Sequence, residues 1–345
     1  MEHFPERLKS ARKMKGWSLQ DLADELSNII TKQALNKYEA GTMKPSGEVL
    51  LQLAKVLEVQ PGYFTRPSSI ELPAVEFRKK AALPAKQIES IKEKVKHFLE
   101  RYLEVEALLD IKSGFSNPVR NIPISNPDDV DTAVEKIIAK WNLGYDAIPN
   151  VIEMLENNGI RVIEIEAPEQ FDGLSTYVGN IPVVVLNKNY AVERKRFTAL
   201  HELGHLLLNI IDGADKEKIC HAFAGAMLLP DNTLESLIGK KRSNIAPGEL
   251  VSIKEQFGIS VQAIIMRALH KNIIDKAAAV RFWKFIAGNK KEIGLGGYPG
   301  KEKSYRFEHL IFRLAAEDIV SMSKAADLAG MKLADFREKL DAFEA

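Results

Sequence analysis

The sequence predicts a multidomain, mainly α chain, with an all-α block at its N-terminal end, one α/β domain near its middle and a helical C-terminal part. Three observations carry that expectation. Apolar residues recur at three- and four-residue spacing along most of the chain, the signature of amphipathic helices. Strand-like runs occur only between about 128 and 232, in RVIEIEA and LSTYVGNIPVVVLN. At 345 residues the chain is long enough for two or three separate cores.

Composition narrows the class. With 46% hydrophobic and 28% charged residues the chain is ordinary for a globular protein. A net charge of +1 supplies no global field toward nucleic acid or membrane, so any DNA contact must come from a local surface. The single cysteine, Cys220, excludes an intramolecular disulfide and fits a reducing compartment. MEHFPERLKS lacks the apolar core of a signal peptide, and no run approaches the roughly 18 apolar residues that span a bilayer. A cytoplasmic protein without a membrane partner is the expectation.

Residues 5–65 read as a set of short helices. RLKSARKMKG carries a helical repeat that Gly16 breaks. Ser18 can cap SLQDLADEL, with Asp21 completing a short relative of the capping box. Thr31 can cap TKQALNKYEAG, which ends on a glycine suited to a helix C-terminus. Pro45 and Ser46 open SGEVLLQLAKVLEV, and PGYFTRPSS, with two prolines, marks a boundary. Residues 66–127 read as a connector with one long helix over about 84–111. In it Ile88, Ile91, Val95, Phe98, Leu99, Tyr102, Leu103 and Val105 repeat at helical spacing. That helix either packs on a neighbour or pairs as a dimerising coiled coil.

Residues 128–232 form the α/β stretch. DVDTAVEKIIAKWNL and AIPNVIEMLENNG read as helices, RVIEIEA as a strand, and LSTYVGNIPVVVLN as a strand pair around Gly179-Asn180. FTALHELGHLLLN and KEKICHAFAGAMLLP follow as helices. Residues 233–345 read as mostly helical, broken by GLGGYPG. Two stretches there, ELVSIKEQFGISVQAIIMRALHKNII and AEDIVSMSKAADLAGMKLADFREKL with Ser323 as its cap, have the form of a helix, a turn and a helix. Core-packing helices are their simplest reading.

Chemistry concentrates in FTALHELGHLLLN. His201 and His205 lie four residues apart, which on a helix offsets them by only about 40°. Both imidazoles then project from one face, at a separation that can grip one zinc ion. Glu202 points about 100° round the helix, where it can serve as a general base without displacing a water beside the metal. This H-E-x-x-H pattern sits among Phe197, Ala199, Leu200, Leu203, Leu206 and Leu207, which would bury the helix and dry the site. A catalytic zinc takes three protein ligands and keeps one open position. A third histidine six residues after the second is one known solution, but that position is Ile211. Glu217, Cys220 and His221, on one face of the next helix, remain as candidates. Glu217 is favoured because two histidines and a carboxylate make a hydrolytic set. His221 and Cys220 stay open, although a lone cysteine is ordinarily a small buried residue.

ERKRFTALHELGHLLL followed by EKICHAFAGAMLLP resembles the ImmA/IrrE-type metallopeptidases, over about 128–232. The shared pattern is an Arg-Phe-Thr lead-in, HELGH, and a helix led by glutamate. The resemblance implies a zincin-like peptidase domain with zinc as cofactor, His201, His205 and Glu217 as ligands and Glu202 as general base. Cys220 and His221 stand where alanine and asparagine are usual in that family. The resemblance further implies a protein substrate, a transcriptional repressor, cleaved in a stress, phage or mobile-element response. A strand commonly holds the substrate in such sites, and PVVVLN is the candidate. Tyr177 and Tyr190 lie in segments that can supply an oxyanion donor, but packing is the commoner role for either.

In the N-terminal block, SLQDLADEL, TKQALNKYEAGTMKPS and VLLQLAKVLEV resemble the XRE-type (lambda-repressor-like) helix-turn-helix domains, with the turn SNII a residue or two longer than usual. The resemblance implies that TKQALNKYEAG is a recognition helix, with Lys32, Gln33 and Asn36 at base edges and Lys37 and Lys44 at phosphates. Nine basic against eight acidic residues over 1–63 is weakly cationic, so DNA affinity is expected to draw on a homodimer. Together these readings describe a zinc-dependent regulatory endopeptidase with a DNA-binding domain. The alternative is a non-proteolytic DNA-binding regulator, or an antitoxin-like protein, with a structural or sensory metal site.

Overall fold

The computed structural model describes residues 2–344 except 68–69, 71, 73–82 and 113. The chain packs as two units, Met1–Lys112 with Tyr305–Ala345, and Ser113–Ser304. Segments 66–127 and 233–345, each read from the sequence as one stretch, both divide between these units. Ser68 and Ser69, the end of the expected boundary PGYFTRPSS, lie outside the described residues.

The first unit opens with α1 (Phe4–Met14), α2 (Leu19–Glu25), α3 (Lys32–Glu39) and α4 (Gly47–Leu57). Ser18 Oγ accepts from Asp21 N at 3.1 Å while Asp21 Oδ2 accepts from Ser18 N at 2.7 Å, a reciprocal capping box. Thr31 and Ser46 cap α3 and α4 by accepting from Ala34 N and Val49 N. Between α2 and α3 the chain makes a long turn in which Ser27 and Asn28 both take positive φ, 53° and 57°. Phe4, Leu8, Leu22, Leu35, Leu53 and Leu57 form the core of this block, together with Tyr63 and Phe64 from a 3-10 turn at Pro61–Thr65. The long helix is α5 (Ala85–Leu108), which buries Ile91, Val95, Leu99, Tyr102 and Val105. It packs on α1, so its apolar stripe is covered inside the unit rather than left for a coiled coil.

The second unit contains β1 (Pro123–Ile124), α6 (Val130–Trp141), α7 (Val151–Asn157), β2 (Arg161–Ile165), β3 (Gly173–Val178) and β4 (Ile181–Asn187). The last three form one sheet in the order β2-β4-β3, with β2 parallel and β3 antiparallel to β4. The strand pair turns at Gly179, whose φ is +58°. This topology corrects one expectation. PVVVLN is the central strand, hydrogen-bonded on both sides, and offers no edge to a peptide. Its unbroken apolar run suits a strand covered on both faces. The edge beside it belongs to β3.

Behind the sheet lie α8 (Val192–Leu207), β5 (Asn209–Ile210), which pairs parallel with β1, and α9 (Lys216–Leu228). α10 (Asp231–Ile238), α11 (Pro247–Phe257), α12 (Val261–His270) and α13 (Lys276–Ile286) complete the unit. The lead-in arginine anchors α8. Arg196 Nη1 meets Glu302 Oε2 at 2.8 Å with both side chains fully buried, and Arg196 also donates to the carbonyls of Ile148 and Phe257. Burial holds the Glu302 carboxyl above its usual range, against the downward pull of Arg196. Gly258, at φ +62°, separates α11 from α12 and must be glycine twice over, because a Cβ there would meet Arg196 Nε at 2.5 Å.

The chain then returns to the first unit as α14 (Arg306–Ala316), α15 (Met322–Ala329) and α16 (Leu333–Glu344). Phe307, Ile311, Leu328 and Phe336 share a core with Tyr102 and Val105 of α5. The cap of α15 is Ser321, which accepts from Lys324 N at 3.3 Å, and not Ser323. Ser321 has the extended backbone a cap requires, whereas Ser323 already lies in the first helical turn. No described helix is long and apolar enough to cross a membrane.

Candidate metal centre

α8 turns both histidines to one side. His201 Nε2 and His205 Nε2 lie 3.1 Å apart. From α9, the Glu217 carboxylate approaches them at 3.2 Å and 3.4 Å respectively. Ligand atoms about 2.0–2.2 Å from a tetrahedral ion sit about 3.3–3.6 Å from one another, so these three separations suit one zinc-sized ion. Among the described residues this is the group whose donor atoms converge so closely. The histidines are mostly covered, while the Glu217 side chain is 70% exposed, which leaves the group open to solvent on one side.

Convergence depends on how closely α8 and α9 pack. A Cβ on Gly204 would stand 3.1 Å from Phe223 Cδ1 and 3.2 Å from Cys220 Sγ. The absence of a side chain lets α9 pack this near to α8 without Phe223 or Cys220 having to give way. Glu202 points elsewhere on α8 and is buried, accepting from Ser175 Oγ of β3 at 2.8 Å. The carboxylate is thus held between the helix and the edge strand.

The other two candidate ligands take different partners. His221 Nδ1 donates to the Glu217 carbonyl at 2.7 Å, and its ring packs 4.4 Å from that of His201. Cys220 Sγ lies 3.5 Å from His205 Nδ1, the ring nitrogen on the far side from the converging atoms. Burial, helped by the negative charges of Glu217 and Glu202, pushes the Cys220 thiol up to about 12. Both tyrosine hydroxyls are engaged: Tyr177 donates to the Leu206 carbonyl, and Tyr190 donates to the Glu169 carbonyl with the Arg194 guanidinium over its ring.

In the first unit, α3 buries Leu35 and Tyr38 and turns Lys32, Gln33, Asn36 and Lys37 to solvent. Lys44, past the end of the helix, is also exposed. The four expected DNA-facing residues of α3 therefore share one exposed face.

Residues 8–64 match the family model described as helix-turn-helix, and 155–269 match a peptidase family model described as the IrrE N-terminal-like domain. The chain joins a helix-turn-helix domain to an IrrE N-terminal-like domain. Two curated relatives from Bacillus subtilis (strain 168) are similar to the first of these. The SPbeta prophage-derived uncharacterized HTH-type transcriptional regulator YonR is 40% identical over 63 residues, which is 18% of this chain and 56% of the relative. The uncharacterized HTH-type transcriptional regulator YqaE is 35% identical over 68 residues, 20% of this chain and 57% of the relative. The chain thus spans little more than half the length of the curated relatives it matches. A solved Mycobacterium tuberculosis transcriptional regulator is similar over 48% of this chain and 51% of its own, at 14% identity and a TM-score of 0.31.

Within the IrrE N-terminal-like domain, two residues of the site went unmarked in the sequence. Ser175 lies 27 positions from its partner Glu202, and nothing local announces that contact. Gly204 was legible only as the fourth letter of HELGH, with no hint that it sets the distance between two helices.

Proposed function

We propose that the chain is a zinc-dependent regulatory endopeptidase built on residues 128–232, with a DNA-binding domain at 5–65 in the same chain. The observation that carries this reading is the convergence of His201, His205 and Glu217 next to a buried glutamate, Glu202, that holding an ion does not require. Bound zinc would polarise a peptide carbonyl and acidify water. In this proposal His201 and His205 hold the ion from α8 and Glu217 holds it from α9. Glu202 takes the proton of the attacking water and returns it to the leaving amine, oriented by the Ser175 hydroxyl at 2.8 Å. The outer edge of β3 holds the substrate extended by strand addition.

The substrate in this reading is a transcriptional repressor in the cytoplasm, cleaved during a stress, phage or mobile-element response. The prophage-derived description of one relative supports that setting. Lys32, Gln33 and Asn36 of α3 read base edges, Lys37 binds phosphate, and a homodimer supplies the remaining affinity. A second reading, a non-proteolytic or antitoxin-like regulator with a structural or sensory metal site, is favoured by the naming of both curated relatives as transcriptional regulators.

Mapping of new protein termini across the host proteome separates the two, with wild type set against Glu202→Gln under DNA damage and phage challenge. The proposal expects new termini in a small repressor that vanish in the variant. Identical termini, with zinc still bound, would leave the regulator. Metal content after dialysis checks the ligand set: Glu217→Ala should lose most zinc and His221→Ala should keep it.

A further inference from the structure

Away from the metal centre, positive charge gathers in the first unit. A cavity of about 650 Å³ lies among α4, the 3-10 turn at Pro61–Thr65, α5 and the turn from α15 to α16, all parts of that unit. Arg66, His97 and Arg101 stand on its wall, together with the exposed Lys55 and Lys332. Leu51, Val59 and Met331 supply apolar surface. Of the acids on the wall, Asp327 pairs with Arg66, and Glu58 pairs with Lys15 at 2.6 Å. The exposed Asp335 remains, set against Lys55, Lys332 and Arg101.

Arg101 is the unusual member. Its Nη1 donates to the Leu328 carbonyl at 3.1 Å, its Nε is buried without a partner, and among the described residues no carboxylate pairs with it. Burial and the like charge of Arg66 lower its pKa to about 10. Its neighbour His97 stays neutral, held down to about 2 by burial and by the charges of Arg101, Arg7 and Arg66. The fold nonetheless makes room for this cation. At Gly330, whose φ is +72°, a Cβ would stand 2.5 Å from Arg101 Nη1. The rings of Phe98 and Phe307 flank the guanidinium at 5.5 Å and 5.9 Å. A buried charge without a counter-ion is costly, and a cavity at its side is where one can enter.

We infer that this cavity binds a small phosphate-bearing anion, with Arg101 as its counter-charge and Lys55 and Lys332 beside it. The site is separate from the peptidase reading and does not depend on it. One guanidinium and two ammonium groups exceed what a single carboxylate neutralises and suit a dianion, and the planar fork of arginine matches phosphate oxygens. The space beyond the phosphate leaves room for an organic body against Leu51, Val59 and Met331.

The test titrates the full-length protein by calorimetry at constant ionic strength. Inorganic phosphate probes the grip on the group itself, ribose 5-phosphate adds an organic body, and succinate offers a dianion without phosphorus. Both phosphates should bind, with succinate about tenfold weaker or more. Arg101→Met should weaken both phosphates by about tenfold or more. Should that change loosen the packing around Phe98 and Phe307, Lys55→Glu with Lys332→Glu, both at exposed positions, should weaken them by about threefold to tenfold with the fold intact. Tighter binding of ribose 5-phosphate assigns the site to an organic ester, and equal affinities assign it to the inorganic anion. No binding beyond that of potassium chloride, or equal binding of succinate, overturns the site. So does phosphate affinity that survives both variants, since it then belongs to another part of the chain. None of these results bears on the peptidase reading.

Discussion

In α3 a threonine caps a helix that buries Leu35 and Tyr38 and shows two lysines, a glutamine and an asparagine to solvent. In α12 a serine caps a helix of similar length, set off from α11 by a left-handed glycine, that buries Val261, Ile264, Ile265, Arg267 and Ala268. Both belong to a helix, a turn and a helix, and in the sequence the two stretches look alike. They differ in where their polar groups go. The arginine of α12 faces inward to two aspartates and a carbonyl, and its outward Met266 lines a cavity. In α3 only Glu39, at its end, does such internal work, accepting from Arg12 at 2.6 Å and 2.8 Å; Lys32, Gln33, Asn36 and Lys37 stay exposed. Local helix-turn-helix form, then, does not decide whether a polar face is left open to a partner; the inward contacts of each helix do.

The largest expected effect tests the inward half of this contrast. Arg267→Ala removes the guanidinium shared by Asp131, Asp231 and the Leu229 carbonyl, while Lys271 still pairs with both aspartates, and should destabilise the second unit by about 2–3 kcal/mol in urea denaturation. Lys37→Ala, on the exposed face of α3, should move stability by less than about 0.5 kcal/mol. Similar losses at both positions would break the comparison. The outward half is tested by Gln33→Ala with Asn36→Ala, which should remove sequence preference worth about 1–3 kcal/mol per lost bidentate contact while the circular dichroism stays native. Unchanged footprints would show that α3 does not read bases.

The smallest effect is a pH dependence. Burial lowers the pKa of His270 at the end of α12; Lys218, Arg267 and Lys271 add to this and Asp128 opposes it. The unfolded chain therefore binds this proton more readily than the folded one. Stability should fall as pH drops below the ordinary histidine value of about 6.5. His270→Gln should shallow that slope, and an unaltered slope would remove His270 from the account.

What was legible in the sequence depended on residues within a turn or two of each other. Ser18 with Asp21, the cap at Thr31, the pairing of His201 with His205 and the hairpin at Gly179 all follow from spacing alone. The rest depended on partners far along the chain. Whether β3 or β4 forms the sheet edge is decided by β2, which pairs with β4. The return of α14–α16 to α5 is invisible in their own periodicity. Helical spacing put Glu217, Cys220 and His221 on one face; only folded geometry commits His221 to a backbone carbonyl and turns Cys220 to the far nitrogen of His205.

Gly204 bears no chemistry, yet it calibrates the chemistry around it. The histidines ride on one helix and the carboxylate on another, so the gap between helix axes is the gauge for all the cross-helix donor distances at once. A single added methyl at position 204 asks Phe223 or Cys220 of α9 to give by a few tenths of an ångström, against the tolerance of about 0.2 Å that a metal ion bound between the helices would set. A residue that is itself inert thereby governs how near the two sets of donor atoms can come.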